Sequence, residues 1–260
     1  MRKCFLSLLV VALVIGLATV LGAVSLKRDN IYRVLRAQEI VEGLQRLEIG
    51  KSSATAAESI VAKIGNAPPP KDFGGRYNKE NCAASDRLER CSYIILMNDS
   101  PVEDLFLKHP FLPRLGLPDW WGVALIDISS GAVEGYSFSI WYRESNGHLG
   151  GAGAGTAQEL PRFEPAQAYM SDSYSVRRIE FRTGEGPSGF GLISALTPAA
   201  SADERQRAFR IDFSCLAQTR GCGQICEMMP DAWKDFYEKF GHFDVERLGS
   251  AYLFCSGPPN

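Results

Sequence analysis

The hydrophobic pattern of the chain opens with one long apolar segment. From Phe5 to Leu26 there is no charged side chain, and Arg2 and Lys3 stand directly before the segment. As an α-helix these residues would extend about 33 Å, which is enough to cross a bilayer core of about 30 Å. The pattern therefore predicts a transmembrane helix over residues 5–26, preceded by a short N-terminal tail at residues 1–4.

A cleaved signal peptide is the alternative interpretation of this segment. The basic start fits, and Ala23, Val24 and Ser25 offer small residues for a cleavage site. However, the apolar region of a signal peptide is usually only about 7–15 residues long. Length therefore favours an uncleaved anchor, while secretion after cleavage stays open as the second possibility.

Residues 27–70 show the periodicity of two helices followed by three prolines. Asp29 or Asn30 is placed to cap the first helix, because short polar side chains accept hydrogen bonds from the free N–H groups of a first turn. Thr55 and Glu58 have the spacing of a capping box at the start of the second helix. We therefore predict a helical pair that ends in a proline-rich linker.

From residue 71 onward the pattern changes to the two-residue period of half-buried strands. A hairpin is predicted around Ser129, Ser130 and Gly131, because a glycine-containing turn separates two alternating segments there. A late helix is predicted over 230–240, with proline at its start and glycine after its end. The predicted strands are 93–97, 121–128, 132–142, 176–181, 189–196, 208–213 and 251–255. The domain at 71–260 is thus predicted to be β-rich, and the whole chain α+β, with a mostly antiparallel sheet.

The glycine-rich residues 150–156 invite comparison with a phosphate-binding loop. The required G-x-G-x-x-G spacing is not met, and no Gly-Lys-Ser/Thr follows. Pro161 and Pro165 argue against a long helix after the glycines, and without a helix N-terminus the aligned N–H groups that hold phosphate are missing. We predict a loop between strands here and no cofactor site.

Composition allows a packed core and gives no reason to expect nucleic acid. The chain is 45% hydrophobic and 10% aromatic, which is enough apolar surface for a folded domain. Its formal net charge is only −2, and no clustered basic face is evident. The predicted partners are membrane lipid, which the N-terminal helix contacts, and a protein at the envelope.

Seven cysteines are present, and the six that follow the apolar segment form an even set. These six are Cys82, Cys91, Cys215, Cys222, Cys226 and Cys255. An even set predicts disulfides and thus an oxidising compartment, with Cys82–Cys91 favoured by proximity and two bridges drawn from the other four. Free buried thiols and a zinc site remain alternatives, but no C-x2-C pair exists and no metal site is predicted.

The two indicators of membrane orientation disagree. The basic residues that flank the apolar segment are more numerous after it than before it, which by the positive-inside rule would leave the domain in the cytosol. The cysteines indicate the opposite side, because disulfides persist only in oxidising compartments. We give the cysteines more weight and predict that the bulk of the chain is extracytoplasmic.

No catalytic constellation is evident from the residue types and spacings. Ser188 has Gly186 two residues before it but no glycine two residues after it, as a nucleophile elbow requires. The remaining polar candidates are His109, His148, His242, Glu103, Asp104 and Asp119, and no spacing unites them. Among aromatic residues, Trp120, Trp121 and Trp141 would mark a binding surface if they were exposed together.

These observations predict a single-pass, membrane-anchored protein with an extracytoplasmic, disulfide-stapled domain. Because no catalytic, cofactor or metal site is predicted, the expected role is binding, structural support or assembly rather than catalysis. A membrane-anchored hydrolase of unrecognised type, using carboxylates or Ser188, is the alternative.

Overall fold

The computed structural model of the protein describes residues 2–64, 90–97, 120–143, 149–156, 167–170, 174–182, 188–218, 222 and 225–240. The helices are α1 (Arg2–Gln45), α2 (Ala54–Ile64), α3 (Ala202–Ala208), α4 (Ile225–Met228) and α5 (Pro230–Phe240), with a 3₁₀ turn at Ser214–Ala217. The strands are β1 (Arg90–Leu96), β2 (Trp120–Ser129), β3 (Ala132–Arg143), β4 (Leu149–Thr156), β5 (Gln167–Met170), β6 (Tyr174–Arg182) and β7 (Ser188–Leu196).

Helix α1 is one continuous element of 44 residues. Its first part is long and apolar enough to cross a membrane, a test that a signal sequence also passes. No glycine or proline occurs between Gly22 and Gly43, so nothing in the backbone interrupts the helix as it leaves the apolar segment. The prediction that Asp29 or Asn30 caps a separate helix is therefore wrong, because both lie inside α1.

The described strands form one seven-stranded sheet in the order β1-β2-β3-β4-β7-β6-β5. All neighbouring pairs are antiparallel except β4 and β7, which run parallel. The predicted hairpin is formed by β2 and β3, and its turn residues Ser130 and Gly131 have φ angles of 51° and 78°. Such positive angles match the right-handed twist of the two strands. The α+β class and the mostly antiparallel sheet are thus confirmed.

The inner face of the sheet packs against the helices and forms the core. On β3 this face carries Tyr136, Phe138, Ile140 and Tyr142, all at most 2% exposed. Their spacing of two residues is what a strand with one buried face requires. The core continues into the second half of α1, whose buried apolar residues are Val34, Ala37, Ile40, Val41 and Leu44.

The second half of α1 packs on the hairpin, where it contacts β3, and the chain is attached to the hairpin at both ends of this half. At one end Asn30 contacts Trp120. At the other end, the segment after α1 bonds the hairpin, since Gly50 N–H donates to the Val133 carbonyl at 2.8 Å and Ala54 N–H to the Gly131 carbonyl at 2.9 Å. From Asn30 to Gln45, the end of α1, the helix rises about 22 Å, and β2 rises about 30 Å from Trp120 to Ser129. The sheet thus has a Trp120 end and, roughly 30 Å away, a hairpin end.

Two predicted elements have a different structure. Residues 150–156 are not a loop but most of β4, which lies between β3 and β7. Residues 208–213 are not a strand: α3 ends at Ala208, and Phe209 then packs on Tyr136 and Phe138 with ring centroids 5.6 Å away in each case. The capping box of α3, Ser201 with Glu204, was the signal that sequence reasoning missed. The predicted strand 251–255 lies outside the described residues.

Helix α2 begins slightly earlier than predicted. Its first residue is Ala54, and the Ser53 hydroxyl accepts a hydrogen bond from the Ala56 N–H at 3.3 Å. Glu58 instead accepts a hydrogen bond from the Tyr93 hydroxyl at 3.1 Å, which joins α2 to β1. The capping box predicted for Thr55 and Glu58 is therefore wrong.

Candidate functional site

A buried polar contact joins α1 to the folded domain, and we call it the Asn30 clamp. The Trp120 indole N–H donates to Oδ1 of Asn30 at 2.9 Å, and Nδ2 of Asn30 donates to the Leu216 carbonyl at 2.8 Å. Asn30 is only 6% exposed although it lies four residues after the apolar segment. One amide side chain thereby links the helix to the sheet and to the 3₁₀ turn, and both of its polar atoms are satisfied.

A disulfide braces the same region. Cys215 and Cys222 are bonded, and Leu216, which supplies the carbonyl of the Asn30 clamp, directly follows Cys215. Cys91 and Cys226 are also disulfide-bonded. Their partners lie outside the described residues, as do Cys82 and Cys255, so the remaining connectivity stays a prediction.

The three tryptophans considered as a binding surface do not lie on one face of the sheet. Trp120 is 3% exposed and points into the core, whereas Trp121, the next residue of the strand, points to the outer face and is 37% exposed. Consecutive strand residues point to opposite faces, so exposure of Trp120 and Trp121 on one surface is ruled out. Trp121 instead stacks on its cross-strand partner Trp141, with centroids 4.0 Å apart and planes inclined by 13°. We call Trp121 and Trp141 the tryptophan pair.

Exposed large hydrophobic side chains also occur outside the apolar segment. Among the described residues outside the apolar segment, they are Ile31, Tyr32, Leu35 and Trp121. The first three lie on α1 within nine residues of its apolar segment, and Trp121 adjoins the Asn30 clamp in sequence. Three of these side chains thus lie on α1 near Asn30, and the fourth lies on the outer face of the sheet, next to Trp120 in sequence.

A charged groove between α3 and α5 offers little to a ligand. Its volume is about 680 Å³, and it opens broadly to solvent. Its charges pair with one another: Arg207 lies 3.4 Å from Asp235, and Arg210 lies 3.1 Å from Asp231. Because the two arginines are exposed and each is neutralised by an aspartate, we interpret the groove as a solvated junction between two helices.

The sequence candidates for catalysis are not brought together in the described residues. Ser188 is the first residue of β7 and pairs in register with Arg182. His109, His148, His242, Glu103, Asp104 and Asp119 all lie outside the described residues. Within the described part of the chain, no group of three or more histidine, cysteine or acidic residues is arranged to hold a metal ion.

No family model, no curated protein and no solved structure matches this chain. Function must therefore be argued from the arrangement itself. What that arrangement offers is a continuous helix fixed to a folded domain by a buried polar clamp, with a stacked tryptophan pair beside the junction.

Proposed function

We propose that the protein is a single-pass membrane protein whose extracytoplasmic domain serves a binding or assembly role. The observation that carries the proposal is the continuity of α1, which passes without interruption from a membrane-spanning length of apolar residues into the core of the domain. A helix of this kind fixes the position of the domain relative to the bilayer, as a docking or assembly module requires.

The structure around residues 23–25 supports an anchor rather than a cleaved signal. Ala23, Val24 and Ser25 lie in the interior of α1. A protease binds its substrate in an extended conformation, so cleavage there would require the helix to open first. Gly22 precedes this site, but neither glycine nor proline follows it until Gly43, and the helix continues through it.

The disulfides support an extracytoplasmic position of the domain. The Cys215–Cys222 bond closes a short loop within the domain, and Cys91 and Cys226 are bonded as well. Bonds of this type persist in the periplasm, the secretory pathway or outside the cell. This supports an extracytoplasmic domain over the orientation that the flanking basic residues favour.

Anchoring is tested on the full-length protein in its native membranes. After extraction with alkaline carbonate, the protein should remain in the membrane pellet, and N-terminal sequencing should find residues that precede the apolar segment. Release into the supernatant, or a mature chain that begins near Val24 or Leu26, would show that the segment is a cleaved signal.

Orientation and role need two further measurements. In intact cells or right-side-out vesicles, external protease should digest the domain, and protection of the domain would place it in the cytosol. Chemical crosslinking in the same membranes, followed by mass spectrometry, should recover a specific protein partner. If the protein is recovered only as an uncrosslinked monomer, the assembly role fails.

A further inference from the structure

We propose that the tryptophan pair is a second membrane contact, which seats the domain on the headgroup layer of the same bilayer that α1 enters. The inference rests on the proposed function, since it requires α1 to span the membrane. It adds a binding surface of the domain itself, with phospholipid as the occupant.

The height of the tryptophan pair above the bilayer core can be estimated from α1. Asn30 lies four residues beyond Leu26, so it rises about 6 Å above the end of the apolar segment. The headgroup layer on each side of a bilayer is about 5–7 Å thick. Because the Trp120 indole is hydrogen-bonded to Asn30, the strand position that carries Trp120 and Trp121 lies at headgroup level.

The direction of α1 relative to the sheet determines which end of the sheet faces the bilayer. The second half of α1 begins at the Trp120 end of the sheet, and the segment that follows the helix bonds the hairpin end. Since α1 leaves the membrane before Asn30, the Trp120 end faces the bilayer and the hairpin end lies roughly 30 Å farther away. The tryptophan pair therefore lies on the part of the sheet nearest to lipid.

The side chains at this level have the chemistry of a membrane interface. Tryptophan is enriched at membrane–water interfaces, where its apolar rings meet the acyl chains and its indole N–H meets water and headgroups. On α1, Ile31 and Tyr32 directly follow Asn30 and are 41% and 67% exposed, and Leu35, about 7 Å higher than Asn30, is 55% exposed. Exposed large apolar side chains close to the end of a membrane helix are expected of a surface that faces lipid.

The test uses the full-length protein reconstituted into phosphatidylcholine–phosphatidylglycerol vesicles that contain lipids brominated near the top of the acyl chain. Bromine quenches the fluorescence of a nearby indole, and the chain has four tryptophans. We expect clear quenching in the natural protein and a loss of at least half of it in the W121F/W141F variant. Phenylalanine keeps an aromatic ring at each position, so the fold is preserved.

Trp233 supplies the matched control. It lies on α5 in the core, 5% exposed, and its ring packs against Phe236 and Tyr237. The W233F variant should retain the lipid quenching of the natural protein. If W121F/W141F is quenched to the same extent as the natural protein, the proposed seating is overturned.

Vesicle flotation separates failure of the seating from failure of the anchor. Protein that does not float with the vesicles contradicts the proposed function, because α1 has then not inserted. Protein that floats but shows no quenching attributable to Trp121 and Trp141 contradicts only the seating. Shielding of the pair from both brominated lipid and aqueous iodide would show that protein covers it, and would likewise overturn the lipid contact.

Discussion

At the scale of single residues, the polar groups inside the core determine how the elements are joined. Asn30 replaces what would be an apolar position on the buried side of α1, and it satisfies an indole donor and a main-chain acceptor that are 90 and 186 residues distant in sequence. A leucine there would bury more apolar surface but would leave both partners without a hydrogen bond. The residue therefore specifies where the helix docks.

We expect Asn30→Ala to reduce the free energy of unfolding by about 2–6 kcal/mol, because two buried polar groups lose their partner at about 1–3 kcal/mol each. Chemical denaturation of the full-length protein in detergent measures the change. Gln38→Ala is the matched control: Gln38 lies on the same helix and bonds only Glu42 on the exposed surface. Its effect should stay within about 0.5 kcal/mol. Equal effects of the two substitutions would show that the Asn30 clamp contributes nothing.

The Tyr93 hydroxyl predicts a pH dependence of stability. Burial and the neighbouring Glu58 carboxylate raise the pKa of Tyr93 to about 12. In the unfolded chain a tyrosine has a pKa of about 10. Between these pH values the folded protein keeps a proton that the unfolded chain has lost. The contribution to stability is therefore complete below pH 10 and is lost as the pH rises toward 12.

Denaturation midpoints at pH 8, 10 and 11 measure this effect. The natural protein should lose more stability over this range than Tyr93→Phe, which has no hydroxyl to titrate. Tyr32→Phe serves as the control, because Tyr32 is 67% exposed on α1. Its pH profile should follow that of the natural protein, and identical profiles for all three proteins would contradict the buried hydroxyl as the cause.

At the scale of elements, β4 shows how glycines can build a central strand. A Cβ on Gly155 would lie 2.4 Å from the Ser137 Cβ and 2.8 Å from the Tyr136 carbonyl oxygen, and one on Gly150 would lie 2.3 Å from the Tyr142 ring. The strand therefore approaches β3 and its side chains more closely than any other residue type would allow. Glycine here serves close packing, not the flexibility of a loop.

We expect Gly155→Ala to destabilise the protein by about 1–3 kcal/mol, because the new methyl group meets backbone atoms that cannot move independently. Gly122→Ala on β2 is the matched comparison, since its nearest atom is the sulfur of Met97, at 2.9 Å. A flexible thioether can yield, so this variant should lose clearly less. Thermal unfolding of both variants measures the difference, and a larger loss at Gly122 would contradict the packing argument.

The elements that could be predicted are those whose signals are local. The β2–β3 hairpin follows from alternation and turn residues, and α5 matches its predicted bounds of Pro230 and Phe240. Beyond these, tertiary contacts decide. Local propensity favours a loop for the glycines of β4. The rings and carbonyl groups that require glycine at these positions lie on other strands, so the local sequence does not show them. The role of Asn30 could not be predicted either, since its partners Trp120 and Leu216 are distant in sequence.

At the scale of the whole molecule, the candidate site combines a hairpin that is local in sequence with a helix that docks from a distant part of the chain. The hairpin was predicted, but the pairing of Trp121 with Trp141 also depends on a register shift between Asp127 and Ile128, which was not predicted. The position of the tryptophan pair relative to the apolar segment was not predictable, because it depends on the docking of α1 on the hairpin. Only with that docking do the anchor, the Asn30 clamp and the tryptophan pair become parts of one arrangement.

The last prediction concerns the coupling between the Cys215–Cys222 disulfide and the Asn30 clamp. Opening this short loop with C215S/C222S should cost about 2.5 kcal/mol through the entropy of the unfolded chain. The Leu216 carbonyl also loses its fixed position next to the bond, so the clamp should weaken as well.

Measured by denaturation, the serine double substitution should therefore cost less in an Asn30→Ala background than in the natural protein, by about 0.5 kcal/mol or more. Strictly additive losses would mean that the disulfide stabilises its own loop alone. A coupling of the expected sign would mean that oxidation of the domain strengthens its attachment to α1. In an oxidising compartment, the folded domain would then be held at the membrane most firmly.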